Sequence, residues 1–387
     1  MTDPEETKEQ AAEQTVGQAA EEAPGQAASA EAEETPQASS DEAVLGEEIE
    51  AAEGTFQRIP LQSLRLDTYT DFNLYLKLAN TNRYVLYRNA NLLFTERHRA
   101  KLQENAVKHA YISAEDRMRY FRYLEGRLNE IVSDGSLTAT ETSRIVYECS
   151  THLVREIIEK PWVGENIKRA EGLICNTVDH LLQGASHLKA MISIMSADYY
   201  TYTHSVNVCV FGVALGQRVG LSGQELNELG IGLLLHDVGK SEISKEILNK
   251  PGSLTPEEWQ EMKTHPARGV EILKNTQQVG PNSLLVVGQH HEKCTGKGYP
   301  KALTSDEIHI YAKIASVADV FDALTTNRSY RKALESFPAL RLMRKEMIRD
   351  FNPGLFRELI QMLGSREVLV SAPDREDYRS SRGRAAA

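Results

Sequence analysis

A chain of 387 residues with a formal net charge of −11 is long enough for two domains and a sizeable core. Residues 1–53 hold sixteen Asp or Glu and one Lys, and removing their −15 leaves the rest at +4, which excludes the strong basic stripe of a nucleic-acid-polymer binder. No run approaches the ~18 apolar residues of a membrane span. The acidic N-terminus does not read as a signal peptide. The four cysteines, Cys149, Cys175, Cys209 and Cys294, form no CxxC, which points to a reduced cytoplasm.

In chain order, residues 1–54 are too poor in large apolar side chains to offset chain entropy, and are expected to be a disordered acidic tail. Residues 55–112 read as a small α/β domain with a regulatory or dimerisation role. Its strands are expected at 56–66, 83–88 and 110–112, with a helix over 96–106. From residue 113 helices dominate, beginning with an aromatic-rich helix over 120–132 inside a helical connector, 113–196. Capping-box patterns start at Thr138, Ser222, Thr255 and Thr304. The next expected helices run over 206–219, 225–238, 266–274, 282–292 and 305–325 in a domain spanning 197–370. Residues 371–387 are polar and are expected to fray. The fold class is mainly α, a helical bundle behind a small mixed domain.

Five histidines and two aspartates stand at or near the ends of these apolar helices. They are His204, His236, Asp237, His265, His290, His291 and Asp319. His236-Asp237 ends the run Ile231–Leu235, His290-His291 follows Leu284–Val287, and Asp319 sits among Ile314–Phe321. Burying such groups unpaired is costly, so they need one another or a metal. Imidazole nitrogens with carboxylate oxygens suit iron, manganese or zinc, and seven such ligands can hold two ions if one carboxylate bridges. Lys240 lies four residues past His236, so on a helix or its final turn it faces the same place. Asp322, one turn beyond Asp319, is placed to orient a ligand histidine.

Residues 198–364 resemble an HD-GYP domain, a branch of the HD phosphohydrolases. The matching stretches are Tyr200–Ser205, His236-Asp237-Val238-Gly239-Lys240, Lys250-Pro251-Gly252, His265, His290-His291-Glu292, Gly296–Pro300, Ala318–Leu324 and Arg328–Arg331. The region at 55–112 resembles the segment ahead of many such domains. The resemblance implies that Asp237 bridges two divalent ions, iron first and manganese second. His204, His236 and Asp319 would complete one shell, and His265, His290 and His291 the other. It also implies that Lys240, Arg328 and Arg331 grip phosphate, and that Gly298, Tyr299 and Pro300 line a guanine-binding groove. That loop is further expected to contact diguanylate cyclase (GGDEF) domains, and the protein to form a homodimer.

The implied activity is a phosphodiesterase opening cyclic di-GMP to pGpG, GMP or both, with a metal-bridged hydroxide as nucleophile, and with Asp237 and Lys240 as the catalytic residues. The alternatives are cyclic GMP-AMP or another phosphoester as substrate, and a sensor that binds without turnover. Two positions depart from the family pattern. Thr295 replaces the usual Asp before the loop, and Tyr200 stands where some members carry a Glu that recruits a third metal, so two metals are expected.

Overall fold

The computed structural model describes residues 48–50, 52, 54–79, 81–195, 201–250, 252–327 and 332–364. Tyr200, Pro251, Arg328 and Arg331, and nearly all of the two terminal tails, lie outside these residues. The chain divides into two compact units between Arg127 and Leu128.

The first unit contains β1 (Glu48–Glu50), β2 (Phe56–Pro60), β3 (Thr68–Thr70), β4 (Leu74–Lys77), β5 (Arg83–Arg88) and β6 (Leu92–Phe94). Helix α1 (Glu96–Glu104), β7 (His109–Ser113) and α2 (Arg117–Glu125) follow. A five-stranded antiparallel sheet has the order β1-β5-β4-β7-β2, and β3 pairs with β6. Residues 48–50 therefore correct the tail expected over 1–54. They are an edge strand, with Ile49 opposite Tyr84 and Glu48 3.1 Å from Arg83. The strand expected over 56–66 stops at Pro60, whose ring has no N–H for the ladder, and a 3-10 turn follows at Leu61–Ser63. Alternation along the sheet buries Ile59, Leu74, Val85, Ala110 and Ile112 on one face. Phe72, Phe94 and Tyr120 are buried in the same unit, with the Phe72 and Tyr120 rings edge to face at 5.6 Å.

The second unit is helical among the described residues. It opens with α3 (Leu128–Val132), α4 (Ala139–Glu159), α5 (Gly164–Leu182), α6 (Ala185–Ile194), α7 (Thr201–Arg218) and α8 (Gly223–Leu234). After a 3-10 turn at Val238–Glu242 come α9 (Lys245–Leu248), α10 (Pro256–Met262), α11 (His265–Thr276) and α12 (Pro281–Gln289). The last three are α13 (Ile310–Thr325), α14 (Ser336–Glu346) and α15 (Pro353–Met362). The single helix expected over 120–132 is two, α2 and α3, broken at Gly126. Capping boxes form at Thr138, Ser222 and Thr255 and start α4, α8 and α10. At Thr304 only half of the box forms, with Thr304 N donating to Glu307 at 2.8 Å while Glu307 N donates to the Thr304 carbonyl, and no helix starts there. Thr304 is held in a bridge to Thr295, and α13 begins only at Ile310, capped by His309.

Helix α7 is the axis of this unit, with every residue from Thr203 to Gly216 buried. A helix apolar nearly all round belongs in the middle of a bundle. Helices α8 and α13 flank it, and Phe211 of α7 meets Phe321 of α13 edge to face at 5.0 Å.

His180 of α5 is fully buried, its Nε2 2.7 Å from the Ser143 hydroxyl and its Nδ1 without a hydrogen-bond partner. Burial, aided by nearby His187, pulls its pKa down to about 4. The unfolded chain, with an ordinary histidine near 6.5, thus binds the extra proton between about pH 6.5 and 4, so this site's contribution to stability falls as pH falls through that window. The stability advantage of the native protein over His180→Gln, read from urea midpoints, is therefore expected to be largest above pH 6.5 and to shrink towards pH 4. A pH-independent difference would mean that His180 does not titrate this way.

Candidate metal centre

Helix ends carry the centre. His236 follows the last turn of α8, His265 comes three residues after the end of α10, and His290 caps α12. Each ring places Nδ1 against the carbonyl three residues back: Leu233 at 2.7 Å, Met262 at 2.9 Å and Val287 at 2.9 Å. The last carbonyls of a helix lack intrahelical partners, so the Nδ1–H both satisfies one and aims Nε2 inward. His204, from α7, does the same with a side chain. Its Nδ1 lies 2.7 Å from Asp322 Oδ2, and Asp322 Oδ1 accepts from Asn207 at 2.9 Å and Thr326 at 3.1 Å. Tyr147 in turn donates to Asn207 Oδ1 at 3.0 Å. His291 is turned the other way, presenting Nδ1 to Asp319 Oδ2 at 3.8 Å.

Asp237 lies between the two groups of rings. Its Oδ2 is 3.4 Å from His236 Nε2 and 3.8 Å from His204 Nε2, and its Oδ1 is 3.4 Å from His265 Nε2 and 3.9 Å from His290 Nε2. Both oxygens are buried, and neither has a hydrogen-bond partner. Asp319 Oδ1 lies 3.1 Å from His204 Nε2, and its other oxygen faces His291. Donor atoms therefore gather in two groups that share Asp237: with His204 and His236 on one side, and with His265, His290 and His291 on the other.

Protonation states suit the same task. Burial pulls His265 down to about 3 and His290 to about 4, and burial with the neighbouring rings holds His291 well below its usual value, so all three are neutral near pH 7. Burial opposes ionisation of Asp237, but His236, Lys240 and His265 outweigh it and hold the carboxyl well below the usual range. At Asp319 burial is likewise outweighed, first by the hydrogen bond and charge of His204. The neutral imidazoles of His265, His290 and His291 and the two ionised carboxylates, buried and aimed at common points, are in the donor state that divalent cations require. The orphaned carboxylate of Asp237 fits such ions directly, since a buried carboxylate with neither oxygen hydrogen-bonded is otherwise costly.

Three features bring the loop at residues 296–300 to this centre. Glu292 is buried and accepts from the Lys301 and Leu303 amides at 2.7 and 2.9 Å, which folds residues 296–300 back over the histidine pair. Gly298 packs against the backbone of residues 291–293, where an added Cβ would lie 2.4 Å from Lys293 N. The Tyr299 ring stacks on His291 at 4.7 Å and meets buried Trp259 at 6.2 Å. Gly239 brings the His236-Asp237 turn against α11, where a Cβ would lie 2.0 Å from His265 O.

Lys240 Nζ is 3.0 Å from Asp237 Oδ2, outside hydrogen-bonding direction, on a side chain that is 14% exposed. Thr295 donates to Asp350 at 2.9 Å, so the position that departs from the family pattern faces a carboxylate of its own. Asp322 was expected from sequence, and Asn207 was detectable as the residue one turn past His204. Glu292 was quoted only as part of a motif, because its partners are backbone amides that no side-chain pattern reveals.

Residues 181–355 match the HD domain family. The match covers a little under half of the chain. It is 35% identical over 195 residues to a cyclic di-GMP phosphodiesterase of Pseudomonas aeruginosa, covering 50% of this chain and 47% of that protein. A 3'3'-cGAMP-specific phosphodiesterase of Vibrio cholerae is 36% identical over 42% of this chain and 35% of its own. A cyclic di-GMP phosphodiesterase response regulator of Xanthomonas campestris is 39% identical over 38% and 39%. The chain thus spans less than half the length of each of these relatives. A solved HD-GYP-type protein of Bdellovibrio bacteriovorus shares the fold, with a TM-score of 0.57 at 23% identity over 80% of this chain and 99% of that one.

Asp322→Asn puts an amide where the carboxylate now faces His204 and Asn207. Loss of such a partner is expected to weaken metal affinity about 10- to 100-fold with the fold intact. A competitive metal titration with a circular dichroism control reads it, and unchanged affinity would show that Asp322 does not position His204.

Proposed function

We propose that the chain is a two-metal phosphodiesterase acting on cyclic dinucleotides, with cyclic di-GMP as first substrate and pGpG, GMP or both as products. The observation that carries this reading is the buried Asp237 carboxylate, neither oxygen hydrogen-bonded, with two histidines facing each of its oxygens and Lys240 beside one. In the reading Asp237 is the shared ligand. His204, His236 and Asp319 complete one shell, and His265, His290 and His291 the other, with iron first and manganese second as occupants. When bound, such a pair supplies Lewis acidity at the scissile phosphodiester and a nucleophile available at neutral pH.

The remaining work falls to this chain's own groups. The four carbonyl and carboxylate contacts at Nδ1 of His204, His236, His265 and His290 keep those rings from rotating. Lys240 sets a positive charge at the rim beside Asp237, where an anionic diester would approach. Gly298, Tyr299 and Pro300 are assigned the guanine groove, supported by the stacking of Tyr299 on His291. Arg328 and Arg331, outside the described residues, are assigned to the phosphates. The same loop is assigned the contact with diguanylate cyclase domains, and residues 55–112 a regulatory or dimerising role. The compartment proposed is the cytoplasm, on four cysteines with no CxxC. No helix among the described residues is long and apolar enough to cross a membrane. Cyclic GMP-AMP is the second reading, on the likeness to the Vibrio cholerae phosphodiesterase.

Protein purified and loaded with metal anaerobically, then assayed on cyclic di-GMP, cyclic GMP-AMP and linear pGpG, tests the reading. Turnover of a cyclic dinucleotide is expected, and Asp237→Ala should lose the ions together with the activity. Tight binding with no turnover would leave a sensor in place of an enzyme.

Lys240→Ala is expected to keep its metals, seen by elemental analysis, and to lose about ten- to a hundredfold in kcat/KM, the worth of one charge-assisted contact. Unchanged kinetics would reduce Lys240 to a counter-charge for Asp237.

A further inference from the structure

The five-stranded sheet of the first unit has a second face unlike its buried one. Register pairs Arg58 with Tyr111, Pro60 with His109, Tyr75 with Tyr111, and Lys77 with Tyr84, so these side chains stand on one side. Of these, Tyr75, Tyr84, His109 and Tyr111 are half-buried, and Arg58 and Lys77 are exposed. The rings form a continuous surface. Tyr84 lies edge to face with Tyr111 at 5.2 Å and stacks with Phe56 at 4.2 Å, and Phe56 meets Tyr75 at 4.8 Å. Basic groups lie along it: Lys77 Nζ sits 5.7 Å over the Tyr84 ring, and Arg58 Nη2 donates to His109 Nε2 at 2.7 Å.

This face opens into a cavity of about 950 Å³ beside the end of α1. Arg58, Lys77, Lys108, His109 and Tyr111 line it, and no Asp or Glu does. With one side of the sheet already buried, four aromatic rings, Arg58 and Lys77 stand together on the other, and Lys108 adds a third cation at the cavity. In an ordinary solvated face, acidic side chains would be interspersed with the basic ones.

We infer that this cavity is a binding site for a small nucleotide, a nucleoside phosphate whose anionic group is held by Arg58, Lys77 and Lys108 and whose base lies against Tyr111, itself backed by the Tyr84 ring. Charge selects an anion, because the lining offers only positive and neutral groups. The rings select a planar partner, since base–aromatic stacking is worth a substantial contact and tolerates any base. The volume falls within the range of small-molecule pockets and is large enough for a mononucleotide. The site uses none of the residues of the metal centre, so it stands or falls apart from the activity proposed above.

Calorimetric titration of the full chain with 5′-GMP, with inorganic phosphate and with a short single-stranded RNA tests the inference. The native protein and Asp237→Ala are both expected to bind GMP. The variants Lys108→Ala and Arg58→Ala, checked for an unchanged thermal transition, should each weaken GMP about tenfold or more. Lys108→Glu, an exposed charge reversal outside any strand, serves as a second variant if Arg58→Ala unfolds, and should lower affinity further. Tyr111→Leu should weaken GMP but not phosphate. Loss of GMP binding in Asp237→Ala together with full binding in the Lys108 variants would place the nucleotide at the metal centre and overturn the inference. Equal affinity for phosphate and GMP would overturn the aromatic part, and RNA bound far more tightly than GMP would overturn the assignment to a small ligand. No binding by the native protein would overturn it entirely.

Discussion

A single buried carboxylate organises the second unit. Asp237 sits where α8 ends, with Lys240 on one flank and four imidazoles around its two oxygens, and none of these neighbours hydrogen-bonds to it. Such a group is unfavourable in a protein interior unless something positive completes it. The helices that surround it are arranged accordingly: α8, α10 and α12 each end on the centre, and α7 and α13 pass beside it. The close approach at Gly239, with room for no side chain at all, brings the His236-Asp237 turn within reach of His265.

The orientation of the rings comes from a source that costs the fold little. Helix C-termini already expose carbonyls in need of donors, and three of the five histidines supply them. His204 lies in the first turn of α7, where no such carbonyl is at hand, and it takes the Asp322 carboxylate instead. That difference explains why a network of Asp322, Asn207, Thr326 and Tyr147 is built at this one ligand and not at the others.

Much of this was legible in the chain. His236-Asp237 and His290-His291 closed apolar runs, His204 and His265 opened helices and Asp319 lay inside one, and all seven come together in the structure. The mainly helical class with a small mixed domain was likewise readable from period and capping. What was not legible depends on pairings far apart in sequence. Strand β1 looked like acidic tail because its partner β5 lies thirty-five residues on for Glu48 and Arg83. The Thr304 capping box gave no helix because a bridge to Thr295 fixes its backbone. The short strands β3, β4 and β6 carry too few residues for a period to emerge. Glu292 holds the loop through amides alone, and amides carry no residue identity.

The helix ends at the centre have an electrostatic consequence of their own. The backbone dipoles of a helix leave about half a negative charge at its C-terminus. Here α8, α10 and α12 direct that end to one point, and two ionised aspartates add to it. The first turns of α7 and α11, which carry His204 and His265, bring the opposite half-charge and offset much of it, so the two carboxylates and Lys240 set the local charge. Two carboxylates against one lysine leave the centre net negative, a potential that favours a cation over an anion there. The same potential disfavours a phosphate as first occupant, so in the function proposed above an anionic ligand follows a cation into the centre.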